Sequence, residues 1–236
     1  MGSPERSPPR ATGVRHFVYV SVLGASRDHP VDFWRTKAAI EDYLRASGLQ
    51  FTIMRPAAFM EIHAHELIGK AILAGRTASI PGRGDRPMNF VAVRDVATVI
   101  VRALGHPPFF GPTIDIGGPE NLTQNEVAAL YGRLAGRAPK VRHLPPAVLR
   151  PLAAIAGILH PGAARILRVS LAADAVDQTF RSAGTADTPL ATTRLEDVAK
   201  DLAGVVDGGR SRVRRRTACG NREIGLASGT NFATGW

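Results

Sequence analysis

Residues 16–22, HFVYVSV, run through β-branched and aromatic side chains without the in–out alternation of a strand that has one face in water. A run of that kind reads as a strand covered on both faces, the usual state of parallel strands. It stops at Leu23-Gly24-Ala25. A second short run, Gln50 to Met54 (QFTIM), is broken by Arg55-Pro56. Between the two, Phe33, Ile40, Tyr43 and Leu44 recur near 3.6-residue spacing in a stretch from about Asp32 to Ser47, ended by Gly48. Strand, helix and strand with short links can close in essentially one way, as a right-handed βαβ unit with parallel strands. The fold class is therefore α/β.

Further along, a helix is expected over Ala58–Leu73. Extended segments are expected at Ala78–Ile80, Asn89–Val93 and Thr113–Ile116, and a short one at Val141–Leu144. Asp95 stands directly before Val96–Leu104 and is read as that helix's N-cap. Thr123 with Glu126 three residues on is a capping box for a helix ending near Gly136. Ala- and Leu-rich helical segments, interrupted by proline, follow to about Leu202. Three regions result: a Pro/Ser/Gly-rich lead-in (1–13), a globular region (14–206), and a tail (207–236) in which hydrophobic periodicity stops.

Charge narrows the partners. The net charge is +10, but 26 of the 30 basic residues are Arg, and they form no stripe at helical spacing in the middle of the chain. Six of them lie in 207–236 against Asp207 and Glu223. A basic tail of this kind grips polyanions without specificity, so nucleic-acid recognition is not the expected function. The longest apolar run, Leu152–Leu159, has eight residues, far below the roughly 20 that span a bilayer. With a single cysteine, Cys219, and no basic-then-apolar start, the expectation is a cytoplasmic protein without membrane contact.

Five stretches in order carry a resemblance. They are Phe17–Ala25 (FVYVSVLGA), Lys37-x-x-x-Glu41, Ser47–Pro56 (SGLQFTIMRP) with Phe59-Met60-Glu61, Phe90–Ala97 (FVAVRDVA), and Ile116–Thr123 (IGGPENLT). Together they resemble the second half of the NmrA-like, atypical short-chain dehydrogenases. The resemblance implies a partial Rossmann-type parallel sheet with a C-terminal helical, substrate-side region, NAD(P)H as cofactor, and oxidoreductase activity, plausibly on quinone-type acceptors. It also aligns 16–22 with about the fifth strand of the parent sheet. On that alignment three or four βα units are expected to be absent, among them the Gly-rich turn whose amides hold the pyrophosphate at a helix N-terminus. Binding of NAD(P)H by the chain itself is then expected to be weak.

The same alignment yields candidate cofactor-binding residues: Ser21, Lys37, Pro56, Ala57, Ala58 and Phe59. Ser21 ends a strand at the carboxyl edge, where open α/β sheets bind ligands. It is read either as a nicotinamide-side contact or as a Ser bonding its own turn. Lys37 is either the lysine that the wider superfamily uses on the nicotinamide ribose or an i,i+4 surface partner of Glu41. Pro56 to Phe59 either line the nicotinamide pocket or form a helix entry with a core Phe. Glu61, His63 and His65 are possible substrate-side groups; His63 and His65, two apart, share no helical face for a metal. Where the superfamily places its catalytic Tyr and Ser, this chain has Phe33 and Leu23, so Tyr-Lys-Ser proton transfer is not expected and no catalytic residue is assigned. The alternatives are a dinucleotide-sensing regulator without turnover and an inactive fragment. An exposed apolar edge left by the missing strands is expected to promote self-association.

Overall fold

The two opening apolar runs become neighbouring strands of a sheet with a helix on each face. The computed structural model describes residues 13–145, 147–149, 177–181 and 191–204. Contacts divide the chain into a unit Met1–Leu202 and a unit Ala203–Trp236, and the fold below is that of the first. Strands β1 (Phe17–Val20), β2 (Phe51–Pro56) and β6 (Thr113–Ile116) form a parallel sheet in the order β1-β2-β6. Register runs Phe17↔Phe51 to Val20↔Met54 on one side of β2 and Ile53↔Thr113 to Pro56↔Ile116 on the other. Helix α1 (Asp32–Ala46) covers one face, reached by Arg55 through Glu41. The opposite face carries Met54, packed in one cluster with Ile116, Val96, Val99 and Ala103. The last three belong to helix α3 (Val93–Ala103). The α/β, Rossmann-type reading of the sequence is the fold observed.

The remaining strands form two smaller sheets. β3 (Ala58–Phe59) pairs in parallel with β5 (Pro87–Val91), which pairs antiparallel with β7 (Asn121–Thr123). β4 (Ala78–Pro81) pairs in parallel with β8 (Val141–Leu144). Helix α4 (Gln124–Leu134) starts on the Thr123/Glu126 capping box, with both reciprocal bonds present. A second core gathers Met60, Ile68, Ile72, Ile80, Phe90, Val127, Tyr131 and Leu195. Leu195 opens the last helix among the described residues, α5 (195–204).

Two expectations change. The helix placed over Ala58–Leu73 starts only at Met60, because Ala58 and Phe59 are drawn into β3 by pairing with Phe90 and Val91. Its first ten residues, Met60–Gly69, form a wide π-helix, and only α2 (Lys70–Leu73) is α-helical. At Gly69 the Tyr131 ring lies where a Cβ would come within 2.4 Å of it, so only glycine fits beneath that ring. Asp95 is not an N-cap either. Helix α3 opens earlier, after Ala92, and its free amide at Val93 is met by the Glu61 carboxylate at 3.1 and 3.2 Å. Asp95, inside the first turn, instead accepts bonds from the Thr193 amide (3.0 Å) and hydroxyl (2.8 Å), tying residues 191–194 to α3. The helical segments expected over 151–176, and the tail 207–236, lie outside the described residues.

Candidate functional site

The carboxyl ends of β1 and β2 are held in register past the strands themselves. The Ser21 amide donates to Met54 O (2.7 Å), that of Leu23 to Pro56 O (2.9 Å), and that of Ala57 to Ile116 O (2.8 Å). Ser21 is thereby fixed at the sheet's carboxyl edge, and its hydroxyl donates to Glu41 Oε1 at 2.5 Å. That partner was not foreseen. Glu41 is fully buried and also accepts from Arg55 Nε and a terminal nitrogen, at 2.9 and 2.6 Å, and from Arg45 at 3.0 Å. Burial pushes the Glu41 carboxyl up, but the bonds from Arg55, Ser21 and Arg45 more than offset it, and the net shift is downward. Asp115, on β6 near Arg55, moves the other way, raised chiefly by burial.

Lys37 does not pair with Glu41. Its ammonium donates to the Val20 carbonyl at 2.9 Å and stands 5.0 Å over the Tyr19 ring and 5.7 Å from the Phe33 ring. Desolvation lowers its pKa. A half-buried ammonium between two aromatic faces, at the carboxyl end of a parallel strand, keeps donor capacity beyond its one bond to Val20. The loop joining β1 to α1 is pinned around it. Trp34 Nε1 donates to Leu23 O (3.0 Å), the His29 ring stacks on Trp34 at 4.7 Å, and Arg35 grips His29 O at 2.7 Å.

Pro56, Ala57, Ala58 and Phe59 form the crossing from the first sheet into the second. Pro56 and Ala57 are buried against β6, and Phe59 packs on the cluster of Val91 and Ile116. Of the groups that follow, Glu61 caps α3, His63 hydrogen-bonds Phe59 O at 3.3 Å, and His65 lies buried 3.2 Å from the Tyr131 hydroxyl. Among the described residues no three His, Cys, Asp or Glu side chains gather as a metal site, and no helix is long and apolar enough to cross a membrane.

The resemblance seen in the motifs holds when the chain is compared with known proteins. The model of the NmrA-like family matches residues 10–178. The chain belongs to the NmrA-like family. It is 30% identical over 128 residues to the NAD(P)H azoreductase of Xenophilus azovorans, covering 54% of this chain and 44% of that protein. It is 34% identical over 130 residues to the (4-alkanoyl-5-oxo-2,5-dihydrofuran-3-yl)methyl phosphate reductase of Streptomyces griseus, with coverage of 54% and 44%. The chain thus spans less than half the length of these relatives. Among solved structures it superposes on the NADPH complex of the Escherichia coli quinone oxidoreductase QOR2 with a TM-score of 0.66 at 21% identity, over 82% of this chain and 68% of that one. That likeness concerns the fold.

The donors present suit one end of a nicotinamide dinucleotide. The Lys37 ammonium is the type of group that holds a ribose, and the turn after β2 is apolar enough to face a ring. The pyrophosphate end is different. Among the described residues no strand leads through a Gly-rich turn into a helix. Gly82 and Gly84, both at positive φ, lie between β4 and β5 and open no helix. The fit covers the ribose and nicotinamide side only.

Proposed function

We propose that this chain carries the nicotinamide- and substrate-side portion of an NAD(P)H-dependent oxidoreductase site, working in the cytoplasm on an acceptor of quinone or azo type. The observation that supports it most is the placement of Lys37. Its half-buried ammonium is held by Val20 O, at the carboxyl edge where sheets of this class bind ligands, and no carboxylate neutralises it among the described residues. Ser21 and Pro56 to Phe59 belong to the same edge. In this reading Ser21 acts through Glu41 and shapes the site, while Phe59 bounds the ring pocket.

The cofactor supplies the hydride when bound. The chain's own residues orient it and exclude water. Phe33 and Leu23 offer no proton at the positions where the superfamily keeps Tyr and Ser, which suits acceptors whose reduced form takes its proton from solvent. With no pyrophosphate cradle among the described residues, they alone are expected to hold NAD(P)H no tighter than about millimolar, or about 4 kcal/mol of binding energy. The test is NADPH oxidation at saturating cofactor with a benzoquinone and with an azo dye. Slow turnover that Lys37→Met abolishes supports the proposal; turnover indifferent to Lys37 overturns it. Phe33 beside Lys37 also favours a second reading, a dinucleotide-sensing regulator, for which NADPH binds without any acceptor being reduced.

A further inference from the structure

The turn into α1 is built on a histidine at a place where such turns ordinarily carry Asn or Asp. His29 is buried, and its Nδ1 accepts the backbone N–H of Val31 at 3.1 Å. A side-chain acceptor bonded to the N–H two residues on is the pattern of an Asx-turn. Pro30, between the two, holds its own φ fixed for the turn. Val31 is the N-cap residue of α1 and offers no side-chain cap of its own. An amide oxygen accepts at any pH. An imidazole accepts at Nδ1 only while it is neutral and carries its proton on Nε2.

Other contacts of the loop converge on this residue. The His29 amide donates to Ser26 O at 3.4 Å, and Arg35 donates to His29 O and Pro30 O at 2.7 and 2.9 Å. The His29 ring lies flat on Trp34, 15° from parallel, and Trp34 Nε1 in turn holds Leu23 O. The His29–Val31 bond thus sits at the junction of the loop 24–31 with α1. The surroundings resist a charge on the ring. Burial lowers its pKa, and the Arg35 guanidinium lowers it further. Of the other charged groups on the loop and the start of α1, Arg27 is paired with Asp42, Lys37 is turned to Val20 O, Asp28 is exposed, and Asp32 stands in the first turn. The N-terminus of α1 adds the positive end of its dipole.

From this geometry we infer that His29 is a proton-operated latch: neutral, it ties the loop 24–31 to the start of α1, and protonated at Nδ1 it releases them. Protonation turns the one acceptor of the turn into a donor that faces the Val31 N–H. Two donors then meet in a buried place, where neither finds water. The direction follows from the linkage between proton binding and folding. Because the folded ring titrates below its ordinary value of 6.5, closure is complete above that value and is lost as pH falls through the folded one. The loop is the one pinned beside Lys37, so its release loosens the turn of α1 that carries Phe33 and Lys37. The inference requires no cofactor and stands apart from the dinucleotide reading.

Amide hydrogen exchange of the whole chain, read as protection factors between about pH 8 and about pH 5, tests it in the range where imidazole titrates. Glu41 titrates below 4.5, so its cluster stays charged throughout. The expected result is a fall of about tenfold or more, roughly 1.4 kcal/mol, in the protection of the Val31 amide. The Ile53 amide, bonded to Pro112 O beside the sheet, keeps its protection over the same range. Imidazole nitrogen chemical shifts at the upper pH show the Nε2–H tautomer of His29. His29→Asn supplies an Asx acceptor that does not titrate, and Val31 stays protected at both ends of the range. His29→Phe keeps a ring to stack on Trp34 but no acceptor, and Val31 is unprotected already at the upper pH. Should that variant unfold, His29→Asn decides the matter. A Val31 protection factor that does not change with pH, an equal fall in His29→Asn, or an Nδ1–H tautomer would overturn the inference.

Discussion

Replacing Glu41 by Gln removes the one anion of a buried cluster and leaves its shape. The fully buried carboxylate accepts one bond from Ser21, two from Arg55 and one from Arg45. Removing one partner of a buried ion pair costs about 3–5 kcal/mol when the remaining charge is stranded. Here the Arg55 and Arg45 side chains are 22% and 41% exposed and recover some hydration, so about 2–4 kcal/mol is expected. Urea unfolding reads this as a midpoint lowered by roughly 1–2 M at unchanged slope. The pH dependence gives a second readout. Because the folded carboxyl titrates below its ordinary value of 4.5, its stabilisation is complete above that value and is lost as pH falls through the folded pKa. Stability of the native protein should therefore decline with acid below about pH 4.5, and the Glu41→Gln protein should lack that part of the decline. A cost under about 0.5 kcal/mol with an unchanged acid limb would refute the assignment of Glu41 as the anchor of this cluster.

Three further outcomes are expected. Gly69→Ala sets a methyl against the Tyr131 ring, 2.4 Å from the nearest ring carbon, and should cost about 1–3 kcal/mol by thermal or urea unfolding. Asn89→Ala removes a buried amide that donates to Gly118 O, Glu120 O and Asn121 Oδ1 and accepts from Gly118 N; about 2–3 kcal/mol should be lost, with proteolysis quickening at 117–121. Glu61→Ala uncaps α3 and should cost about 1 kcal/mol, while Asp95→Ala should loosen residues 191–194, read by hydrogen exchange at the Thr193 amide.

The βαβ opening was legible because burial on both faces leaves a run of apolar residues, and because Gly48 ends the helix between them; Arg55-Pro56, read as the break after QFTIM, instead continue β2 in its pairing with β6. The capping box at Thr123 was legible because its partners are three residues apart. What escaped the sequence depends on partners distant along the chain. Glu41, four residues from Lys37, reads as one half of a surface pair. Its true partners, Ser21 and Arg55, lie 20 and 14 residues away and become neighbours only when α1 folds over β1 and β2. A charged residue on an amphipathic helix gives no sign of burial unless the strand beneath supplies a counter-charge, and Arg55 directly after QFTIM was that signal. Likewise Asp95 looked like a cap because helix propensity begins at Val96, whereas the cap comes from Glu61, 32 residues before the Val93 amide it meets. Tertiary donors replaced local ones in both cases.

Calorimetric titration of the purified chain with NADPH, for the native protein and for Lys37→Met, tests the central claim most directly. The account predicts saturation only near millimolar NADPH and a further weakening, about fivefold or more, when the Lys37 ammonium is removed, equivalent to about 1 kcal/mol. Micromolar affinity, or millimolar binding that is indifferent to Lys37, would contradict it.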